Sequence, residues 1–276
     1  LFRSHWPRLT DITGKVLVDD GVTTVRTFTG KMYDSTVTDA WVQAIPQAKG
    51  LLVNVDAQAS GNTKDGIRIL QETSLHDTVG TAFDDWKVTQ GKLNTRLQLA
   101  IPLLGSNSVA MQDVRCQLID SRVVLDDVRL PIEKLNGDLI YQSHAGIFAP
   151  ALEAQLFEQA LKLDISSTKT ADDLNVYVNF AGTVATPKLA EWSRMTPMQV
   201  LSGNLDYTAT LALGPFGKHA SDKVGSLTIN STMKQVALPL PEPLVKKPGT
   251  LSPLKLTIDL LRNNRQDYRV EYNRQI

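Results

Sequence analysis

Apolar and polar residues alternate along this chain with a period of two, and this alternation constrains the fold more than any other feature. In the segment 53–60 every odd position is apolar and every even position is polar. The pattern recurs in 91–102, 176–180, 205–213 and 254–260. Because successive side chains of a strand point to opposite faces of a sheet, each segment predicts an antiparallel strand with one apolar and one solvated face. Several segments reach ten residues or more, so the predicted strands are long.

Two short helices are predicted between the strands. Asn62 is a suitable N-cap for a helix over Thr63 to Glu72, in which Ile67 and Leu70 share one face. Thr186 is a capping residue type, and the proline that follows it favours a first helical position. Helices this short are unstable alone in water, so each is expected to pack on a sheet.

These elements recur as two tandem units. The corresponding positions are Gly14 and Gly137, Tyr33 and Phe157, Gly61 and Gly182, and Gly91 and Gly203. We therefore predict a first β unit over 1–124 with a helix near 62–74, and a second over 125–276 with a helix near 187–196. Glycines placed early in strands indicate bulges or close backbone approaches.

Charge and composition exclude some functions. The 276 residues contain 29 Lys and Arg and 29 Asp and Glu, a formal net charge of zero. A nucleic-acid-binding domain would show a basic excess, and so would a protein held electrostatically at an anionic membrane surface. No apolar run approaches the length of a membrane span. The chain begins with Leu1 rather than Met, so we expect an interior segment of a longer protein.

No catalytic or metal-binding pattern is present. The single cysteine, Cys116, excludes an internal disulfide framework and multi-cysteine metal sites, and its strand-like surroundings favour a structural role. The histidines show no ligand spacing; they are His5, His76, His144 and His219. The paired aspartates at 19–20, 84–85, 126–127 and 172–173 are interpreted as turn residues. We predict no enzymatic activity, no metal and no cofactor.

The alternation leaves two architectures open. Two packed sheets would bury the apolar faces in a closed sandwich, and periodicity alone favours this arrangement. A strongly curved sheet could instead leave an apolar groove, partly closed by the helices. Aromatic residues make up only 6% of the chain, and an aliphatic groove suits flexible acyl chains.

One segment resembles a known family. The proline-punctuated stretch 236–249, VALPLPEPLVKKPG, is similar to a stretch of the YhdP branch of the AsmA-like proteins. The strand, Gly61 and helix that lead to Leu75 also resemble that branch. Trp86, Gly91 and the strand 97–103 follow in the family's order. In the second unit Trp192, Thr196-Pro197 and Leu201-Ser202-Gly203 are family-like as well.

This resemblance implies a fold and a function. AsmA-like proteins are anchored in the Gram-negative inner membrane and extend through the periplasm as long, taco-shaped β-sheets with a hydrophobic groove. The implied fold is mainly β, with a strongly curved antiparallel sheet and two packing helices. The implied function is phospholipid transport between the inner and outer membranes, with this chain as a periplasmic segment of the bridge. Implied partners are phospholipid acyl chains, neighbouring segments of the same protein and envelope proteins at its ends, and not nucleic acid.

The residues expected to line the groove are the apolar sets of the alternating strands. They are Val53, Val55, Leu97, Leu99, Ile101, Val176, Val178, Leu205, Leu211, Leu213, Leu256 and Ile258. For each of them, ordinary packing between sheet and helix is the alternative. For the whole chain, the alternative is a non-catalytic structural or interaction module whose strand edges pair with partners. An enzyme acting on a lipid or a glycan is a third reading.

Overall fold

In the part of the chain that the structure describes, the protein is mainly β, with long antiparallel strands and two short helices. The computed structural model describes residues 7–72, 86–105, 110–125, 129–194, 199–242, 245–262 and 265–273. Within these ranges fifteen strands form one sheet, in which sequence neighbours are almost always sheet neighbours. The predicted fold class is confirmed.

The elements follow one another in a meander. The strands of the first half are β1 (Leu9–Asp19), β2 (Val22–Met32), β3 (Ser35–Pro46), β4 (Leu51–Asn62), β5 (Trp86–Leu103), β6 (Met111–Leu125), β7 (Leu130–Gln142) and β8 (Gly146–Leu156). Those of the second half are β9 (Gln159–Lys169), β10 (Asp173–Ala185), β11 (Ser202–Gly217), β12 (Lys223–Ser231), β13 (Val236–Ala237), β14 (Leu254–Leu261) and β15 (Arg265–Tyr272). The helices are α1 (Thr63–Glu72) and α2 (Thr186–Ser193).

The sheet is open along its described strands. Its order is β1 to β12, then β14 and β15, and the short β13 pairs with β11 off this path. Strands β5 and β11 have 18 and 16 residues, well beyond the usual five or six, so the prediction of long strands is confirmed. The alternation suggested that a strand begins at Gly91. This glycine, with a φ of 124°, instead lies inside β5.

Contacts divide the chain into two compact units. Unit 1 comprises Leu1–Val123 and Asn136–Ala149, and unit 2 comprises Val124–Leu135 and Pro150–Ile276. The first division, after Val123, lies one residue from the end of the predicted unit 1–124. Strands β7 and β8 are each divided between the units. The segment 136–149 belongs to unit 1, and the remaining residues of both strands belong to unit 2.

Matching positions in the two units have matching local structure. Tyr33 and Phe157 each follow a strand at a hairpin turn, with φ values of 54° and 50°. Each contacts the helix of its own unit: the Arg68 guanidinium lies 3.8 Å above the Tyr33 ring, and the Phe157 ring lies 6.1 Å from that of Trp192. The internal repeat stays a prediction, and these are the local features that it would explain.

Helix α1 begins where the sequence predicts. The Asn62 Oδ1 atom accepts a hydrogen bond of 2.9 Å from the backbone N–H of Asp65, which is the geometry of an N-cap. At the other end the Tyr33 hydroxyl donates to Glu72 at 2.9 Å. Residues 73 and 74, the end of the predicted range, lie outside the described residues.

A buried polar cluster fastens the start of α1 to the sheet of unit 1. Asp65 is 3% exposed, and its Oδ2 atom accepts hydrogen bonds from the Ser35 hydroxyl and the Asp34 backbone N–H. The hydroxyls of Thr63 and Ser121 lie 2.7 Å apart, and both residues are buried. Because buried hydrogen bonds fix geometry and are costly to leave unmade, α1 is held in one position.

Replacing Asp65 with alanine is therefore expected to destabilise the protein by about 2 kcal/mol, because the Ser35 hydroxyl and the Asp34 N–H lose a buried, charged acceptor. Urea unfolding followed by circular dichroism measures this change. Lys64→Ala is the matched control, since Lys64 is the exposed neighbour of Asp65 on the same helix. Equal stabilities for the two variants would contradict the role of the cluster.

Helix α2 starts differently from the prediction. Its N-cap is Ala185, without a side-chain cap, and Thr186 is already the first helical residue. The prediction of Thr186 as the cap is wrong because its fully buried hydroxyl is used elsewhere: it donates to the carbonyls of Leu201 and Gly203, at 3.2 and 3.0 Å. The helix ends at Ser193, before the predicted 196, and 195–198 lie outside the described residues.

Candidate functional site

The predicted residues of unit 1 lie together on one face of the sheet. Directly opposed residues of an antiparallel pair share a face, and here Val53 opposes Ile101 and Val55 opposes Leu99. Leu97 opposes Ala57 in the same register, so it lies on this face too. The structure thus brings all five predicted residues of unit 1 into one patch across β4 and β5.

Register extends this patch across further strands. The residue opposite Val55 on β3 is Val42, which in turn opposes Val25 on β2, and Val25 opposes Val16 on β1. Parallel rows run on both sides of this one. We name as the unit 1 apolar face the residues Val16, Val25, Ala40, Val42, Ala44, Val53, Val55, Ala57, Leu97, Leu99 and Ile101.

The other face of the same strands is polar and internally hydrogen-bonded. The side chain of Gln98 donates to Asp56 at 2.9 Å, and Arg96 lies 3.5 Å from the same carboxylate. Ser60 donates to Asn94 at 2.8 Å. The sheet therefore presents a solvated face and an apolar face, as the alternation predicts.

Unit 2 has the same arrangement, with a row of apolar residues that crosses six strands. Val178 opposes Leu211 and Ile165, Leu211 opposes Leu227, and Leu227 opposes Ile258. Ile258 opposes Tyr268. We name as the central row the six residues Ile165, Val178, Leu211, Leu227, Ile258 and Tyr268.

Flanking rows widen the face around the central row. Val176 opposes Leu213 on one side, and Ile229 opposes Leu256 on the other. The unit 2 apolar face consists of the central row together with Leu163, Val176, Phe180, Ala209, Leu213, Ile229, Leu256, Leu260 and Val270. Six of the seven predicted residues of unit 2 belong to it.

Leu205, the seventh, belongs to a packed core instead. It is 8% exposed and clusters with Val184, Met233 and Val236, against which Leu189 of α2 also packs. Val176 is buried as well. The other ten predicted residues are only half-buried, so neither face is packed shut within the described part of the chain.

Each helix covers one end of the apolar face of its own unit. In unit 1, α1 packs on β5 so closely that a Cβ at Gly66 would lie 2.7 Å from the Leu93 side chain. In unit 2, α2 packs on the cluster around Leu205. Each unit therefore has a closed end under its helix and half-exposed apolar rows beyond it.

A proline-rich segment completes the closed end of unit 2. We call it the strap, and its described residues are 236–242 and 245–249. In the proline-rich stretch 236–249, β13 pairs with Ser202 and Gly203 of β11. The ammonium of Lys246 is buried and donates to the Val236 carbonyl at 2.6 Å. Removal from water lowers the pKa of this lysine.

The described residues contain little that could act on a substrate. His219 lies 2.6 Å from Asp173, an acidic partner that the sequence did not indicate, but the pair joins an exposed turn to the first residue of β10. The hydrogen bonds from His219 lower the pKa of Asp173. Burial raises the pKa of the Cys116 thiol, which disfavours the nucleophilic thiolate. Among the described residues, no three His, Cys, Asp or Glu side chains cluster in a way that could hold a metal ion.

Sequence reasoning missed much of the apolar faces. Val25, Val42, Leu227 and Ile229 extend the rows across neighbouring strands, yet they were not predicted. In β2 and β3, threonine and alanine occupy many of the positions, so the apolar–polar alternation is weak. In β12 the alternation extends over only a few residues. The alternation of Leu227 and Ile229 was the available signal.

Comparison with known proteins identifies a family. A family model described as YhdP protein matches residues 1–276, the full length of the sequence. The chain belongs to the YhdP family. The resemblance found in the sequence is thereby confirmed. No curated protein and no solved structure matches the chain.

Membership of the YhdP family relates the chain to lipid transport in the Gram-negative envelope, and the family is non-enzymatic. Neither of the two described helices is long and apolar enough to cross a membrane.

Proposed function

We propose that this chain is a periplasmic segment of an inner-membrane-anchored protein, that it binds phospholipid acyl chains on its apolar faces, and that it supports phospholipid transport between the inner and outer membranes. One observation carries the proposal: half-buried aliphatic side chains stand in register across many adjacent strands, while the opposite face is polar.

The dimensions of the central row fit an acyl chain. Its six residues cross five strand spacings, or about 24 Å at ~4.8 Å per spacing. One leaflet of a bilayer core is about 15 Å thick, so a single acyl chain extended along the row would contact several successive strands.

The chemistry of the rows suits a ligand that must move. Each methylene removed from water contributes about 0.8 kcal/mol wherever it lies on an aliphatic surface. Val, Leu and Ile side chains offer no directional contact that would hold a chain at one place. An acyl chain can therefore stay bound while it slides from row to row.

Site-specific photo-crosslinking tests the proposal. A photoreactive residue is placed at Leu99, on the unit 1 apolar face, in the full-length protein in Gram-negative cells. Because the Leu99 side chain would contact acyl chains, we expect phospholipid adducts by mass spectrometry. Gln98 is the matched control, since it is the next residue but bonds to Asp56 on the polar face.

Two results would count against lipid binding. Equal adduct yields at Leu99 and Gln98 would mean nonspecific labelling from nearby membranes. No adducts at either position, with the protein folded, would mean that the face is covered by protein. That outcome would favour a structural or interaction module.

A further inference from the structure

Tyr207 lies at the boundary between the closed end of unit 2 and its open apolar rows. It is on β11 directly opposite Gly182 of β10, and it therefore shares a face with Leu205 on one side and Leu211 on the other. Leu205 belongs to the core under α2, whereas Leu211 belongs to the central row. The apolar row next to Tyr207 runs from Leu163 and Phe180 through Ala209 and Ile229 to Leu256. The Tyr207 hydroxyl lies over Gly182, beside the Leu163 end of this row, so a ligand that ends there would lie next to it.

The ring of Tyr207 is held by packing alone. A Cβ at position 182 would lie 2.9 Å from the Tyr207 hydroxyl oxygen and 3.2 Å from Cζ, so the ring occupies the space that Gly182 leaves open. The Phe180 ring meets it edge-on, with centroids 6.5 Å apart and an interplanar angle of 72°. A phenylalanine at position 207 would keep the edge-on contact with Phe180 and would still place its ring in the space beside Gly182.

Packing accounts for the ring of Tyr207 but not for its hydroxyl group. Among the described residues of the chain, none forms a hydrogen bond with it. Burial raises the pKa of Tyr207 to about 12, so the group remains protonated and is a hydrogen-bond donor at every physiological pH. The Tyr207 oxygen is not among the fully buried unpaired polar atoms of the described residues, so it is open to water or to a ligand that replaces water.

We propose that the Tyr207 hydroxyl donates a hydrogen bond to an ester carbonyl of a glycerolipid whose acyl chain lies on the unit 2 apolar face. The inference rests on the proposed function and adds a polar contact to it. An ester carbonyl is an uncharged acceptor attached directly to the acyl chain, so it reaches the end of the row together with that chain. A phosphate group would bring its charge against Phe180 and the apolar residues around it, which is unfavourable without a cationic partner.

The test compares phospholipids that have and lack the carbonyl. The purified chain is incubated with equimolar diester and diether phosphatidylethanolamine of the same chain length, and the bound species are quantified by native mass spectrometry. The wild-type chain should prefer the diester by about fivefold, the effect of one hydrogen bond. Tyr207→Phe should bind both lipids equally, with its affinity for the diether unchanged.

Tyr177→Phe is the matched control, because Tyr177 opposes Ala212 and Ser166 on the other face of the same sheet. It should keep the wild-type preference. Equal binding of the two lipids by the wild type would overturn the role of Tyr207 and leave acyl-chain binding intact. Absence of binding for both lipids would instead overturn the proposed function. A loss of the preference in Tyr177→Phe would show that the effect does not come from the apolar face.

Discussion

Ile258→Asp is expected to abolish lipid transport while the protein stays folded. Ile258 is the fifth of the six residues of the central row, between Leu227 and Tyr268, and it is half-buried. The position is only half-buried, so a carboxylate there keeps part of its hydration in the free protein, and the stability of the variant is measured alongside its activity. An acyl chain on the row would remove this water, and burying an unpaired charge costs several kcal/mol. We expect at least a tenfold loss of bound phospholipid.

The measurement uses the full-length protein in cells that lack their own copy, with growth on detergent reporting the outer-membrane barrier. Thr257→Asp is the matched control. It introduces the same residue one position earlier on β14, where the side chain shares the opposite face with Arg269 and Thr228. Ile258→Asp should fail to restore growth, and Thr257→Asp should restore it. Full restoration by Ile258→Asp would contradict transport along this face.

Gly203→Ala is expected to give the largest loss of stability. Gly203 has a φ of 105°, and a Cβ there would lie 2.1 Å from the carbonyl oxygen of Gln235. The clash would push β13 away from β11 and expose Val236, which is fully buried. We expect a loss of about 3 kcal/mol or more from backbone strain together with disrupted core packing. Chemical denaturation followed by circular dichroism measures it.

Gly249→Ala separates the cost of backbone strain from the cost of the clash with Gln235. Gly249 has a similar positive φ of 92°, but nothing lies within 4 Å of its added Cβ. Its substitution should therefore cost only the conformational part, about 1 kcal/mol. If both variants lose the same stability, the close approach of Gln235 is not what requires glycine at position 203.

Both expected results depend on the division of unit 2 into a closed end and an open end. The Gly203 substitution acts on the closed end, where β13, Met233 and Val236 pack under α2. The Ile258 substitution acts on the open rows. A tightly packed end holds the strands in register, and among the described residues neither α1 nor α2 covers the half-exposed rows of unit 2.

The predictable part of the fold came from local patterns. Strand faces follow directly from the period of two, because neighbouring side chains of a strand must point in opposite directions. The predictions for Val55, Leu99, Val178 and Leu211 needed nothing else to place them on the apolar faces. The start of α1 was equally local, since Asn62 and the Asp65 N–H are three residues apart.

The failures came from contacts between distant segments. Thr186 has the residue type of an N-cap, but the carbonyls of Leu201 and Gly203 recruit its hydroxyl, and no local pattern reveals acceptors 15 and 17 residues away. Leu205 has the same alternation as Leu211. Only the packing of α2 and the strap at 236–249 makes one a core residue and the other part of an open row.

The sequence by itself thus determined the fold class, the family and the apolar faces of the strands with clear alternation, because strand periodicity and the order of short motifs are properties of neighbouring residues. Only the tertiary structure decided which apolar residues are covered, how Asp65 fastens α1, and that the Tyr207 hydroxyl has no acceptor among the described residues. The physical reason is that burial and hydrogen-bond satisfaction depend on every atom that surrounds a group. Most of those atoms belong to residues far away in the chain.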